Sequence, residues 1–304
     1  MSEMLRFDGR VVVITGAGSG LGKAYALEFG KRGAKVVVND LGGSRSGEGQ
    51  SSKAADLVVE EITKAGGIAV ANYDSVEFGD KVIETAIANF GRIDIVVNNA
   101  GILRDSSFLK MKEADWDLIM KIHLKGAFSV TKAAWPYMKK QKFGKVINTS
   151  SGSGLYGNFG QANYSSAKLG LHGMSQTLAK EGHKYNIRVN SIAPVAASRM
   201  TQDMFAPEIL ETLTPEKIVP LVVYLTHESC NENGAVFELA GGWVTRVRWQ
   251  RARGVFFPET LTPEVLRDNW NQVNSFEEGA DYPTSLTDSL QKVMKLIEGN
   301  KPKL

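Results

Sequence analysis

The chain has 304 residues, 43% of them hydrophobic and 23% charged, with a formal net charge of +3. That is an ordinary globular composition with room for one large α/β domain and an appendage, and the charge is too small to make nucleic acid the main partner. Cys230 is the lone cysteine, so no internal disulfide can form, and with only four histidines beside it no metal site is expected.

Val11–Thr15 opens the pattern as an apolar strand, and a helical period over 20–32 follows a glycine-rich turn. Strands at Lys35–Asp40, Ile68–Tyr73, Ile93–Asn98, Lys145–Ser150, Arg188–Ile192 and Ala235–Leu239 then alternate with helices near 51–65, 77–90, 115–141, 161–184 and 215–228. Most strands are apolar at every position, as in a parallel sheet covered on both faces. The expected fold is α/β: a doubly wound (Rossmann-type), seven-stranded parallel sheet in residues 1–242. Gly42–Ser52 reads as a Gly/Ser-rich loop without a pattern of its own. Residues 243–304 carry short helices near 262–273 and 285–298 and are too few to bury a core comfortably. They are expected to be a helical extension packed on the main domain, at the pocket or a dimer contact. The apolar runs fall well short of the roughly 20 residues of a spanning helix. Met1–Arg10 lacks the apolar core of a secretory signal, which points to a protein that stays inside the cell.

The turn Thr15-Gly16-Ala17-Gly18-Ser19-Gly20-Leu21-Gly22 lies between the first strand and the first helix. Its glycines permit a tight turn and close approach of a pyrophosphate, and the helix N-terminus offers free N–H groups and a positive dipole end. Gly16, Ser19, Gly20, Leu21 and Gly22 are therefore candidate cofactor contacts. Asp40 ends the second strand, where a carboxylate can accept from both adenosine ribose hydroxyls and repel the extra phosphate of NADP. Two charges ~4 Å apart cost ~4 kcal/mol at an effective dielectric of ~20, and half of that favours NAD more than tenfold.

Tyr164 and Lys168 stand four residues apart on one helix face, and Ser151 ends the fifth strand. In a parallel sheet all three reach the edge where a dinucleotide sits. Hydride transfer between a nicotinamide and a carbonyl or secondary alcohol needs a proton donor or acceptor at the oxygen. A free Tyr, with a pKa of ~10, is too weak a base at neutral pH, and a neighbouring Lys ammonium and the nicotinamide charge are expected to lower that value. Ser151 can hold the substrate oxygen, and Lys168 can also bind the nicotinamide ribose.

Together Thr15–Gly22, Asn98-Asn99-Ala100-Gly101, Ser151, Tyr164-x-x-x-Lys168 and Pro194 resemble the short-chain dehydrogenase/reductase family. The resemblance implies that Asn99, Ala100 and Gly101 steady the sheet centre beside the adenosine, that Asp74 and Ser75 contact the adenine, and that Pro194, Ala196, Ala197, Ser198 and Arg199 form the loop at the nicotinamide carboxamide. The family often has an Asn, completing a proton relay to the Lys, where this chain has His123. His123 is either a relay group or a packed core residue.

Leu5–Arg10, Val38–Gly43, Ala71–Val76, Gly101–Asp105 and Tyr156–Tyr164 are more narrowly similar to the (3R)-hydroxyacyl-CoA dehydrogenase units of peroxisomal multifunctional enzymes of type 2, and His227–Cys230, Gly242-Trp243 and Arg267–Trp270 extend the match through the extension. This implies NAD as cofactor, an acyl-CoA substrate oxidised in fatty acid β-oxidation, a homodimer, a peroxisomal location, and a chain that is a lone unit or part of a longer multifunctional protein. The final Lys301-Pro302-Lys303-Leu304 is loosely similar to a Ser-Lys-Leu peroxisomal address. Arg246, Arg248, Arg251 and Arg253 read either as a solvated basic face or as a seat for coenzyme A phosphates. The alternatives are a 3-oxoacyl thioester reductase, a steroid or alcohol dehydrogenase and, outside enzymes, a nucleotide-binding regulatory protein.

Overall fold

In a computed structural model, which describes residues 3–197, 206–277 and 279–299, the sheet runs in the order β3-β2-β1-β4-β5-β6-β7-β8. The strands are β1 Val11–Thr15, β2 Lys35–Asn39, β3 Ile68–Asn72, β4 Ile95–Asn98, β5 Gly144–Thr149, β6 Ile187–Val195, β7 Val236–Ala240 and β8 Trp243–Val247. All pairings from β3 to β7 are parallel. The strand order reverses direction between β1 and β4, which opens a crevice at the carboxyl ends of those strands.

The doubly wound class expected from the sequence holds, with one strand more. Gly241 and Gly242, at φ +57° and +101°, link β7 to β8. A two-residue link with both φ positive is a hairpin turn, so β8 runs antiparallel to β7. The chain divides into two compact units between Arg246 and Val247, so the first residues assigned to the extension belong to the sheet.

Strand alternation explains why these strands are apolar throughout. Val12, Ile14, Val36, Val38, Ile95 and Val97 face one way, into a core with Tyr25 and Phe29 of α1 (Gly20–Lys31), Val58 and Ile62 of α2 (Lys53–Lys64), and a helix at Val219–Thr226. Val11, Val13, Val37, Val96, Val146 and Val189 face the other way, onto Val82 and Ile83 of α3 (Gly79–Phe90) and Val130, Ala134 and Met138 of the helix Gly126–Gln141. Side chains alternate across a strand, so one run of Val and Ile supplies both cores.

The helix expected over 115–141 is interrupted. It comprises α4 (Glu113–Ile119), a π-helical turn at Met120–Lys125 and α5 (Gly126–Gln141). A π turn inserts a residue into the helical ladder and re-aims the side chains beside it; here it holds buried His123. Two short helices escape the sequence reading, α6 (Gly152–Tyr156), capped by Ser151, and α8 (Pro207–Thr212). Between them lies α7 (Ala162–Gly182). Among the described residues no helix is long and apolar enough to cross a membrane.

In the second unit, Arg251 binds Asp281 through Nε and Nη2, both at 3.0 Å, and donates to Ser289 at 2.7 Å, while Lys292 reaches the same Asp281. The Arg248 guanidinium lies 3.5 Å from the Tyr282 ring centroid, and Arg246, in the first unit, pairs with Glu232. Arg246 and Arg251 are thus each paired with a carboxylate.

Candidate active site

Parallel register places one row of polar residues across the sheet: Asn72, Asn39, Thr15, Asn98, Asn148 and Ser191. All are buried. They bond to one another and to neighbouring helices, leaving Asn98 Oδ1 unpartnered. Asn39 donates to Asn72 at 2.7 Å, Asn98 to Asn148 at 2.8 Å and to Thr131 at 2.9 Å, Asn148 to Ser175 at 2.8 Å, and Ser191 to Ser175 at 2.9 Å. This row ends the apolar core and floors the crevice. The sequence reading missed it as a row, although most of these strand runs visibly end on a polar residue.

The glycine turn rises from that floor. Thr15 Oγ1 accepts from the backbone N–H groups of Asn99 and Ala100, both at 3.0 Å, and Asn99 donates to the carbonyls of Thr15 and Gly16 at 3.0 and 3.1 Å. A Cβ at Gly16 would stand 2.8 Å from Ala100 Cα, and one at Gly22 would stand 2.2 Å from the Gly16 carbonyl oxygen. Glycine is needed at these places for packing. Gly20 differs: it has φ +53° and a Cβ there would meet nothing within 4 Å. It opens α1 toward the crevice, where first-turn N–H groups have no acceptor within their own helix. A tight backbone, an open approach and helix N–H groups together fit a pyrophosphate.

Asp40 lies beside this turn. Its Oδ2 accepts from Gly18 N–H and its Oδ1 from Gly42 N–H, both at 2.7 Å. At the end of β3, Asp74 Oδ2 accepts from Asn72, and Asn39 donates to the Asp74 carbonyl. Asp74 and the adjoining Ser75 thus sit at the same edge as Asp40. Ser75 hydroxyl donates to Glu77 at 3.3 Å.

On the other side of the reversal, Thr149 pairs with Ile192, so Ser151 and Pro194 each lie two residues past the same rung. Ala196 and Ala197 continue from there, Ala197 N–H donating to the Leu213 carbonyl at 2.5 Å. Ser198 and Arg199 lie outside the described residues. Ser151 Oγ caps α6 by accepting from Ser153 N–H at 3.2 Å, and its side chain favours the charged form of Tyr164. One turn along α7, buried Lys168 donates from Nζ to the Thr149 carbonyl at 2.6 Å, and its ammonium is 5.4 Å from the Tyr164 ring centroid. Asn163 fixes the start of the helix: its Oδ1 accepts from Tyr164 N–H, and its Nδ2 donates to the Arg104 carbonyl.

Electrostatics correct one expectation. Tyr164 is pushed up to about 12, not lowered, because burial disfavours the phenolate and Asp105 adds repulsion, against a smaller opposing effect of the Ser151 side chain. Burial pulls Lys168 down to about 7. The protein alone therefore holds a neutral phenol beside an easily discharged amine.

His123 packs edge-on against Tyr164, with ring centroids 5.2 Å apart at 81°. Its Nε2 meets the Ile102 backbone, 3.1 Å from N–H and 2.9 Å from the carbonyl oxygen. Burial and the nearby Lys168 hold the ring down to about 3, so it is neutral at physiological pH. A small cavity of about 10 Å³ lies between His123, Lys168 and Asn98. Buried His123 Nδ1 and Asn98 Oδ1 have no protein partner.

The family model of the short chain dehydrogenases matches residues 10–208. The chain belongs to that family. It is 57% identical over 298 residues, 98% of this chain and 67% of the relative, to a peroxisomal multifunctional enzyme A of Dictyostelium discoideum. It is 60% identical over 293 residues, 95% of this chain and 33% of the relative, to a peroxisomal hydratase-dehydrogenase-epimerase of Neurospora crassa. Full-length peroxisomal multifunctional enzyme type 2 of Drosophila melanogaster superposes with a TM-score of 0.85 at 45% identity, over 98% of this chain and 51% of that one. The chain thus spans between a third and two thirds of the length of these relatives. As a short chain dehydrogenase it is an NAD(P)-type oxidoreductase.

Proposed function

We propose that this chain oxidises the 3-hydroxyl of (3R)-3-hydroxyacyl-CoA to the 3-ketone in peroxisomal fatty acid β-oxidation, with NAD as acceptor. The observation that carries the reading is the placing of Ser151, Tyr164 and buried Lys168 together at the same sheet edge as the glycine turn, in a chain matched nearly end to end by peroxisomal multifunctional enzymes. The bound dinucleotide supplies the hydride acceptor. Gly16, Ser19, Gly20, Leu21 and Gly22 seat its pyrophosphate, Asp40 the adenosine ribose, Asp74 and Ser75 the adenine, Asn99–Gly101 the sheet centre beside the adenosine, and Pro194, Ala196 and Ala197 the nicotinamide side. The Asp40 carboxylate, held at the mouth of the turn, supports NAD over NADP.

Ser151 holds the substrate oxygen. As the C3 hydrogen leaves as hydride to the acceptor, the hydroxyl proton passes to Tyr164 Oη in its phenolate form, so the C3–O bond becomes a carbonyl and the phenolate a neutral phenol. Lys168, poised near neutrality, favours the phenolate when it is protonated and hands the proton onward toward the cavity it lines. His123 acts as a positioning residue, fixing Ile102 and the face of Tyr164. Exposed Phe108, Leu109, Tyr156 and Phe159, on two segments joined by the Ser106 N–H to Gly160 carbonyl bond, support a substrate with an apolar arm. An apolar groove lined by Met120, Leu124, Phe128 and Met174 supports a homodimer, which sedimentation measures.

The test is initial NADH formation with pure R and S forms of a medium-chain 3-hydroxyacyl-CoA. The R form is expected to react more than ~100-fold faster, since fixed oxygen, hydride direction and opposed arms leave one enantiomer productive. Equal rates or preference for S overturn the substrate. Turnover of a steroid or simple alcohol alone leaves only the oxidoreductase.

A further inference from the structure

Residues 40–52 join β2 to α2, a longer link than the roughly 2–6 residues common between strand and helix. The link is folded. Ser51 N–H returns to the Leu41 carbonyl at 3.0 Å and closes a narrow base; Ser44 N–H donates to the Glu48 carbonyl at 2.8 Å and closes a tip. The tip touches down far from its root. Arg104 donates from Nε to the Ser46 carbonyl at 2.8 Å and pairs with Glu48 and with Asp115 of α4, each at 3.3 Å, and Leu103 N–H donates to the Arg45 carbonyl at 3.1 Å. Gly47, at φ +84°, lies so close to Ile102 that a Cβ would stand 2.9 Å from its Cδ1.

The sheet order says what lies between root and tip. The link starts at the end of β2 and lands on the segment after β4, and β1 lies between those strands. Two strand spacings of ~4.8 Å separate the two points, and the intervening strand end is the glycine turn. A dinucleotide whose pyrophosphate sits on that turn therefore occupies the interval that the link bridges.

We propose that residues 41–51 form a strap across the dinucleotide cleft, latched on its far side by Arg104, and that opening the latch governs how fast the dinucleotide enters and leaves. The inference rests on the dinucleotide reading of the glycine turn. Arg104 is a positioning residue here: its side chain holds the strap, and its carbonyl anchors Asn163 beside Tyr164.

The experiment measures NADH association and dissociation by stopped-flow fluorescence in the wild type, Arg104→Ala and Gly47→Ala. Arg104→Ala removes the latch and keeps the carbonyl; Gly47→Ala strains the backbone of the tip, whose φ of +84° disfavours a Cβ. Dissociation is expected to accelerate about tenfold or more in each, the change that loss of a charge-assisted hydrogen bond produces, and association to accelerate with it. The single-turnover hydride-transfer rate with saturating substrate stays near that of the wild type. If Arg104→Ala does not fold, Gly47→Ala carries the test. Unchanged NADH kinetics in a folded variant overturn the strap. NADH failing to bind the wild type overturns the dinucleotide reading instead.

Discussion

At the glycine turn the chemistry resides in the backbone: Gly16 and Gly22 are small because Ala100 and a carbonyl leave no room for a Cβ, and the groups that meet a phosphate are N–H donors. At Tyr164 it resides in burial, which drives a phenol up to about 12 and an amine down to about 7. The first region works by shape that a short motif encodes locally. The second works by desolvation, contributed by residues distant in sequence such as Asn98, Ile102 and His123. The comparison teaches that substitutions at the turn change binding, whereas substitutions at the trio separate chemistry from stability.

The sharpest break between the two regions is Tyr164→Phe. It is expected to lower kcat by at least ~100-fold, the low end for general acid–base groups, with NADH affinity unchanged by fluorescence titration. A variant keeping more than about a tenth of the activity removes Tyr164 as the proton-transfer group. In the wild type, oxidation should quicken as pH rises toward the Tyr164 value, because the basic phenolate becomes more populated; a flat profile in single-turnover rates contradicts this.

Asp40→Ala tests the other end. The wild type is expected to prefer NAD to NADP by more than about tenfold, the ratio that a few kcal/mol of screened repulsion gives. The variant should narrow the gap through KM while the hydride-transfer rate holds. Equal use of both dinucleotides by the wild type would place Asp40 away from the ribose.

Lys168→Met inverts the usual expectation for a site residue. Lys168 has a folded-state pKa of about 7, below its ordinary 10.5. The unfolded chain therefore binds more protons between those values, and the wild type gains stability as pH rises through that window. Below about pH 7 it carries the full cost of a buried ammonium, on the order of a few kcal/mol. The inactive variant should melt higher than the wild type at pH 6, with the difference shrinking toward pH 10. A constant difference would show that the amine is not the cause.

The smallest expected effect is at His123. His123→Asn retains hydrogen-bonding groups near Ile102 and Lys168, whereas His123→Phe keeps the ring packing and loses those groups. Phe should lower kcat several-fold more than Asn with KM nearly equal, and neither should shift the pH profile, because the native ring stays neutral above about pH 3. Equal rates in both would mean that ring packing alone matters.

Much of this molecule was legible in the chain itself. The Val and Ile runs separated by helical periods determined a doubly wound sheet, since only strands buried on both faces read that way. Thr15–Gly22, Ser151, Tyr164 and Lys168 announced themselves because the backbone turn and the i, i+4 spacing are local properties. Other features belonged to the tertiary structure alone. Gly241-Gly242 looked like the end of a domain and is the hairpin that adds β8, a distinction that depends on what the following strand pairs with. The polar row from Asn72 to Ser191 exists only in the register of six strands. Gly42–Ser52 carried no pattern because its latch, Arg104, is more than fifty residues away in the chain. The direction of the Tyr164 shift also came from the fold: spacing places charges beside one another, but how much water is removed from them is decided by every element that packs around the site.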